Sequence, residues 1–310
     1  MFRWIVLAIT LIVWLSCMTL VYLHYKPREL ANTATGSRAG LDVIFAEDAD
    51  PRQVWRIYVD PRRLSGNDAL PWNGLDESKF REVGFLDTQL KKRGNDDTRR
   101  EQLTTAHINI PPEINIPGGQ LLGKIHYTNR SDISMDHGLE VFDSSIKLGM
   151  GFEIAAHGNR DGKKLKVVTQ VLLEGKKQVE NRDNIDVGDK DAPVHELMPF
   201  QRNREVRRGY SWEIPMLDTS AIDISGNNKP HIKNIRVTCT TTRKIKYDGE
   251  FVPAFEVVTE DGKARAWYSA DGVVLKQSFR LADTIELIVV RVDPKKFEKL
   301  PVTQWREVKQ

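Results

Sequence analysis

The stretch Ile232–Val292 leaves this chain the fewest options. Its β-branched and aromatic runs are Ile232–Lys246, Phe251–Thr259, Ala264–Ser269, Val273–Leu281 and Ile285–Val292. Between the first four stand three Asp-Gly pairs, Asp248-Gly249, Asp261-Gly262 and Asp271-Gly272. A tight hairpin turn needs positive φ at its centre, and Asp-Gly supplies it at little steric cost. Apolar runs punctuated in this way dictate an antiparallel meander.

Upstream, the pattern predicts further strands at Val54–Val59, Gln120–Thr128, Ile146–Ala156, Lys164–Leu173 and Tyr210–Ile214, with turns at 159–162 and at Glu174-Gly175. Phe80, Val83, Leu86 and Leu90 fall at helical spacing, so Glu77–Lys92 is expected to be a helix. Lys91–Glu101 is a mixed-charge run, expected as a solvated loop. The three prolines of Ile108–Pro117 predict an extended spacer, and Asn181–Pro193 is acidic and turn-rich. The expected class is mainly β: antiparallel meanders in an open sheet or half-barrel, an N-terminal transmembrane helix, and little other helix.

Trp4–Tyr25 is almost unbroken apolar sequence between Arg3 and Lys26-Pro27-Arg28. At about 1.5 Å per residue it spans a hydrocarbon core of about 30 Å, with Trp4, Tyr22 and Tyr25 near its ends, where aromatic rings favour the interface. A cleaved signal peptide would have a shorter apolar core followed by small residues. Ser16-Cys17 hints at a lipoprotein box, but the preceding Trp14 and Leu15 are bulky. The segment therefore reads as a retained signal anchor at 1–28. A tether at 29–40 follows, then an N-proximal mixed α/β or irregular region at 41–117. An antiparallel β domain at 118–293 is divisible into meanders at 118–217 and 230–293, and a basic tail covers 294–310. The expected orientation puts the large domain outside the cytoplasm, in the periplasm if the organism is a bacterium.

The formal charge is +3, and Arg3, Lys26 and Arg28 account for it; from Glu29 onward 43 basic residues balance 43 acidic ones. A balanced body lacks the field of a nucleic-acid binder, so no nucleic-acid partner is expected.

The seven histidines include no pair at metal-ligand spacing, and no nucleophile elbow, P-loop or dinucleotide fingerprint is present. Cys239, among threonines in a predicted strand, reads as a buried thiol. Asp186, Asp189 and Asp191 do not match a calcium loop. No catalytic residue, metal or cofactor is therefore assigned. The candidate ligand-binding residues are Arg202, Arg204, Arg207 and Arg208, the densest one-sign cluster, with Tyr210 and Trp212 beside them. Such a group suits anionic head groups or glycan; a charged edge that discourages strand pairing is the plainer alternative.

Phe255–Phe279 (FEVVTEDGKARAWYSADGVVLKQSF) alternates strands with acidic-Gly turns and carries an aromatic pair, Trp267-Tyr268. Through Ala266-Trp267-Tyr268 and Asp271-Gly272-Val273 it resembles bacterial envelope β-modules, either the lipoprotein-carrier-like half-barrels or those that precede transglutaminase-like domains. The resemblance implies part of an open antiparallel sheet and transfers no catalytic residue. The expected function is a membrane-anchored, non-catalytic envelope protein that binds an apolar small molecule or another envelope protein beside the lipid bilayer. A structural or assembly role is the first alternative. The second is a hydrolase with its site in 41–130, for which Asp60, His107 or His126 gathered in one cleft would be the sign.

Overall fold

The structure is a computed structural model that describes residues 41, 43–59, 80–110, 123–187, 200–218, 231–281 and 285–297. The predicted anchor, the tether, the segment after Gly188 and the end of the basic tail lie outside these residues. Among the described residues no helix is long and apolar enough to cross a membrane.

The first eight strands are β1 (Arg52–Val59), β2 (Arg81–Arg93), β3 (Asp96–Asn109), β4 (Lys124–Ser134), β5 (Gly138–Lys147), β6 (Phe152–Asp161), β7 (Lys164–Leu173) and β8 (Lys176–Asp186). They form one up-and-down meander. A second comprises β9 (Ser211–Asp218), β10 (His231–Tyr247), β11 (Glu250–Thr259), β12 (Ala264–Tyr268), β13 (Val274–Leu281) and β14 (Ile285–Val292). Antiparallel pairing of β1 with β14, from Val54 opposite Val292 to Val59 opposite Leu287, joins the two into a 14-stranded antiparallel sheet with β8 and β9 at its edges. The predicted hairpin turns of the second meander are present, and at the first of them Asp248 and Gly249 both take positive φ, 50° and 89°.

Several expectations fail. Glu77–Lys92 is not a helix: from Arg81 onward it is β2, with Leu86 buried against the core and Asp87 turned to Arg52. The helical spacing misleads because the register slips between Ile57 and Tyr58, leaving Val83 as an extra residue that breaks the two-residue period. The charged run 91–101 is not a loop but the hairpin end of β2 and β3. Ile146–Ala156 is two strands, folded back at 149–151 where Met150 has φ 61°. Asn181–Asp186 belongs to β8. Of the predicted spacer, residues 111–117 lie outside the described residues, while Ile108 belongs to β3 and lies directly opposite Ile125 of β4.

The main core lies on one face of the sheet. Trp55, Ile57, Leu86, Ala106 and Tyr127 from the first meander meet Val237, Cys239, Val257, Tyr268 and Leu287 from the second. A second cluster joins Ile133, Phe142, Leu165, Val167 and Ile185, and Leu217 and Ile232 from β9 and β10 pack against it. The sheet therefore curls until its two ends approach across the interior. Leu41 and Ile44 are buried in this cluster, so the segment before β1 enters the enclosed space.

One inward row departs from the apolar pattern. Gln53, Thr88, Thr104, Asn129, Ser144, Ala156, Thr169 and Asn181 stand opposite one another strand by strand from β1 to β8. All but Ala156 are neutral polar side chains. Side chains two apart along a strand share a face, so alternation with Trp55, Leu86, Ala106, Tyr127, Phe142 and Val167 places the row inside.

Candidate functional site: an interior cavity under two chain segments

A cavity of about 120 Å³ opens onto the β1–β4 part of this row. Gln53, Thr88, Thr104 and Asn129 line its polar side, and Ile44, Ile133, Leu139 and Phe200 its apolar side. Thr88 and Thr104 hydrogen-bond through their hydroxyls at 3.2 Å, and the Asn129 amide donates to Ser131 at 2.9 Å. The polar wall is thus held in a fixed orientation.

The cavity is closed by two chain segments. One is 200–210, which buries Phe200 and Val206 in the core. Its backbone is tied down at both ends: Asn203 N–H donates to Gly272 O at 2.9 Å, and Gly209 N–H to Cys239 O at 2.8 Å. The other is 41–50, folded as a helical turn with Phe45 N–H donating to Leu41 O at 2.8 Å. Arg100 lies over the Phe45 ring, 4.9 Å from its centre. The two segments meet through charge. Asp48 pairs with Arg202 at 2.9 Å and also with Arg204. The Arg202 hydrogen bond holds the Asp48 carboxyl below the usual carboxylate range. Asp50 pairs with Arg291 of β14, the cross-strand partner of Trp55.

Three residues that line the cavity each carry a buried polar atom with no hydrogen-bond partner among the described residues: Trp55 Nε1, Arg202 Nε and Gln201 Oε1. Trp55 is 1% exposed. Arg202 and Arg291 keep side-chain exposures of 19% and 15%, whereas Arg204 is 64% exposed.

The residues singled out in the sequence divide accordingly. Arg202 lines the cavity; Arg204 does not, and it is exposed beside Asp48. Arg207 and Arg208 are exposed, with Arg207 over the Tyr210 ring at 5.8 Å. Tyr210 donates its O–H to Glu205 at 2.9 Å, and burial together with that carboxylate pushes its pKa up to about 12. Trp212 stacks on Tyr210 at 5.4 Å and meets Tyr268 edge-on at 6.2 Å, on the core side. Trp55, Asp48, Asp50 and Arg291 were not found by sequence reasoning, because only the β1–β14 register and the folding-in of 41–50 bring them together.

Cys239 is buried, and burial pushes its thiol up to about 11. His107 and His126 do meet, as cross-strand partners on the outer face with Nδ1 atoms 3.0 Å apart. Asp60 lies outside the described residues. Among the described residues no three His, Cys, Asp or Glu side chains gather as metal ligands.

No family model and no curated protein matches the chain. Among solved structures it is similar to a β-barrel-like protein of the domain of unknown function DUF1849 from Brucella abortus. The identity is 8%, over 78% of this chain and 95% of that one, with a TM-score of 0.37.

Proposed function

We propose that this is a membrane-anchored, non-catalytic binding protein of the cell envelope whose β-sheet body holds a small molecule in the interior cavity. The anchor reading rests on the apolar run Trp4–Tyr25, and the body is placed on the extracytoplasmic side. The observation that carries the binding reading is the set of buried, unpartnered polar atoms of Trp55, Gln201 and Arg202 around one cavity. An unpaired buried donor or acceptor costs roughly 1–3 kcal/mol, which a guest that pairs it recovers on binding. The cavity volume of about 120 Å³ sets the size of the guest, which is small.

The indole N–H of Trp55 reports occupancy directly. In a nitrogen-proton correlation spectrum of the full-length protein in detergent micelles, its resonance is assigned by its loss in Trp55→Phe. The expected result is that small polar-apolar molecules move this resonance while that of Trp267, on the outer face, stays in place. A panel that leaves the Trp55 resonance unmoved overturns the reading.

A further inference from the structure

The charged donors around the cavity are Arg202 and Arg291. Trp55 and Arg291 are directly opposite each other on β1 and β14, and both line the cavity. Directly opposed residues on an antiparallel pair have Cβ atoms about 5 Å apart. Arg202 lines the same cavity from the 200–210 segment. Arg202 and Arg291 are each engaged by an acid, Asp48 and Asp50, that is about half exposed, while Arg202 Nε and Trp55 Nε1 remain buried and unpaired. Two guanidinium groups and an indole N–H thus offer donors to the cavity, while Asp48 and Asp50, the latter also a lining residue, balance the two positive charges. The side chains of Ile44, Ile133, Leu139 and Phe200 supply apolar surface elsewhere in the lining, beside the neutral polar Gln53, Thr88, Thr104 and Asn129.

Building on the binding reading above, we propose that the guest is a short-chain aliphatic carboxylate. Its carboxylate accepts from Arg202 and Trp55 beside Arg291, and its alkyl chain lies on Ile133, Leu139 and Phe200. Guanidinium–carboxylate hydrogen bonds are charge-assisted and stronger than neutral ones. The guanidinium fork carries five N–H donors, so Arg202 can hold Asp48 on its outer side and a guest on its inner side together. A cavity of about 150 Å³ holds a benzene-sized molecule of six carbon atoms. The cavity of about 120 Å³ therefore suits a guest of acetate to butyrate size.

The test is calorimetric titration of the full-length protein in detergent with butyrate, butyramide, n-butanol and inorganic phosphate. Butyrate is expected to bind about tenfold more tightly than its uncharged isostere butyramide. It should also bind more tightly than phosphate, which has the charge and lacks the chain. Arg202→Gln should weaken butyrate about tenfold while leaving butyramide nearly unchanged. Trp55→Phe replaces the indole by a smaller phenyl ring and removes the N–H, so it should weaken butyrate more than butyramide; it carries the test if Arg202→Gln fails to fold. Butyramide or n-butanol binding as well as butyrate would overturn the carboxylate assignment and leave the cavity a binding site. Phosphate binding as well as butyrate would remove the alkyl subsite and with it the proposal. Absence of heat from every compound, with the Trp55 resonance also unmoved, would take down the binding reading itself.

Discussion

Tyr268 donates its phenolic O–H to the backbone carbonyl of Gln201 at 2.9 Å, joining the fully buried end of β12 to the segment that roofs the cavity. The bond fixes the residue immediately before Arg202. Tyr268→Phe keeps the ring and its packing but leaves the Gln201 carbonyl without this donor. The expected loss is roughly 1–2 kcal/mol of unfolding free energy, read from the urea midpoint at unchanged slope. An unchanged midpoint would show that the roof does not depend on this bond.

Gly272 makes the second fastening. Its φ is +75°, and a Cβ there would stand 2.0 Å from the Asn203 carbonyl oxygen. Gly262 has a similar φ of +67° but open space around the missing Cβ. Left-handed backbone alone costs an L-residue about 1–2 kcal/mol, so Gly262→Ala is expected to lower stability by about that much. Gly272→Ala adds a collision with backbone that cannot rotate away, so its effect should be larger by at least about 2 kcal/mol. Thermal melts of the two variants side by side separate turn strain from the close approach of the roof.

The contrast between these glycines also shows how far the sequence could be read. Asp261-Gly262 and Asp271-Gly272 both announce a turn, which made the second meander legible from local chemistry alone. That Gly272 also receives another segment depends on contact with Asn203, 69 positions away in the chain, and no local pattern encodes it. β2 was misread because the extra residue at Val83 disturbs the alternation, and Phe80, Val83, Leu86 and Leu90 then fit a helix equally well. The polar row was invisible for a related reason. Each strand contributes one residue to it, and only the register aligns the seven polar members across β1 to β8. Arg202 was legible as part of a charge cluster; its partners Asp48 and Trp55 were not, since charge density along a chain does not say what folds against it.

His107 and His126 make stability depend on pH. Burial is the main cause that lowers the His107 pKa to about 4, with the nearby His126 second. Burial, followed by Lys147, lowers that of His126. An unfolded histidine titrates near pH 6.5. Between about pH 6.5 and 4 the unfolded chain therefore holds more protons than the native one, and native stability falls as the pH is lowered through that window. The contribution is fully present above about pH 6.5. Denaturation free energies at pH 7.5, 5.5 and 4.5 should show the decline, and His107→Phe, which extends the ring stack with Phe85, should flatten it. A wild-type slope that persists unaltered in His107→Phe would assign the dependence to other groups.

The inward polar row makes the sharpest demand, because its members differ in how well they are satisfied. Thr169 is 2% exposed, and its hydroxyl has no hydrogen-bond partner among the described residues. Thr104 is almost as buried, but its hydroxyl meets that of Thr88 at 3.2 Å. Valine matches threonine in shape and lacks the hydroxyl. Thr169→Val should remove an unsatisfied group and raise stability by roughly 1 kcal/mol. Thr104→Val should strand Thr88 and lower stability by a similar amount. Equilibrium urea denaturation of both variants tests the pair of signs together. Loss of stability in Thr169→Val would mean that its hydroxyl is paired within the enclosed space after all, by water or by guest, and would extend the polar binding surface from the cavity across to β7.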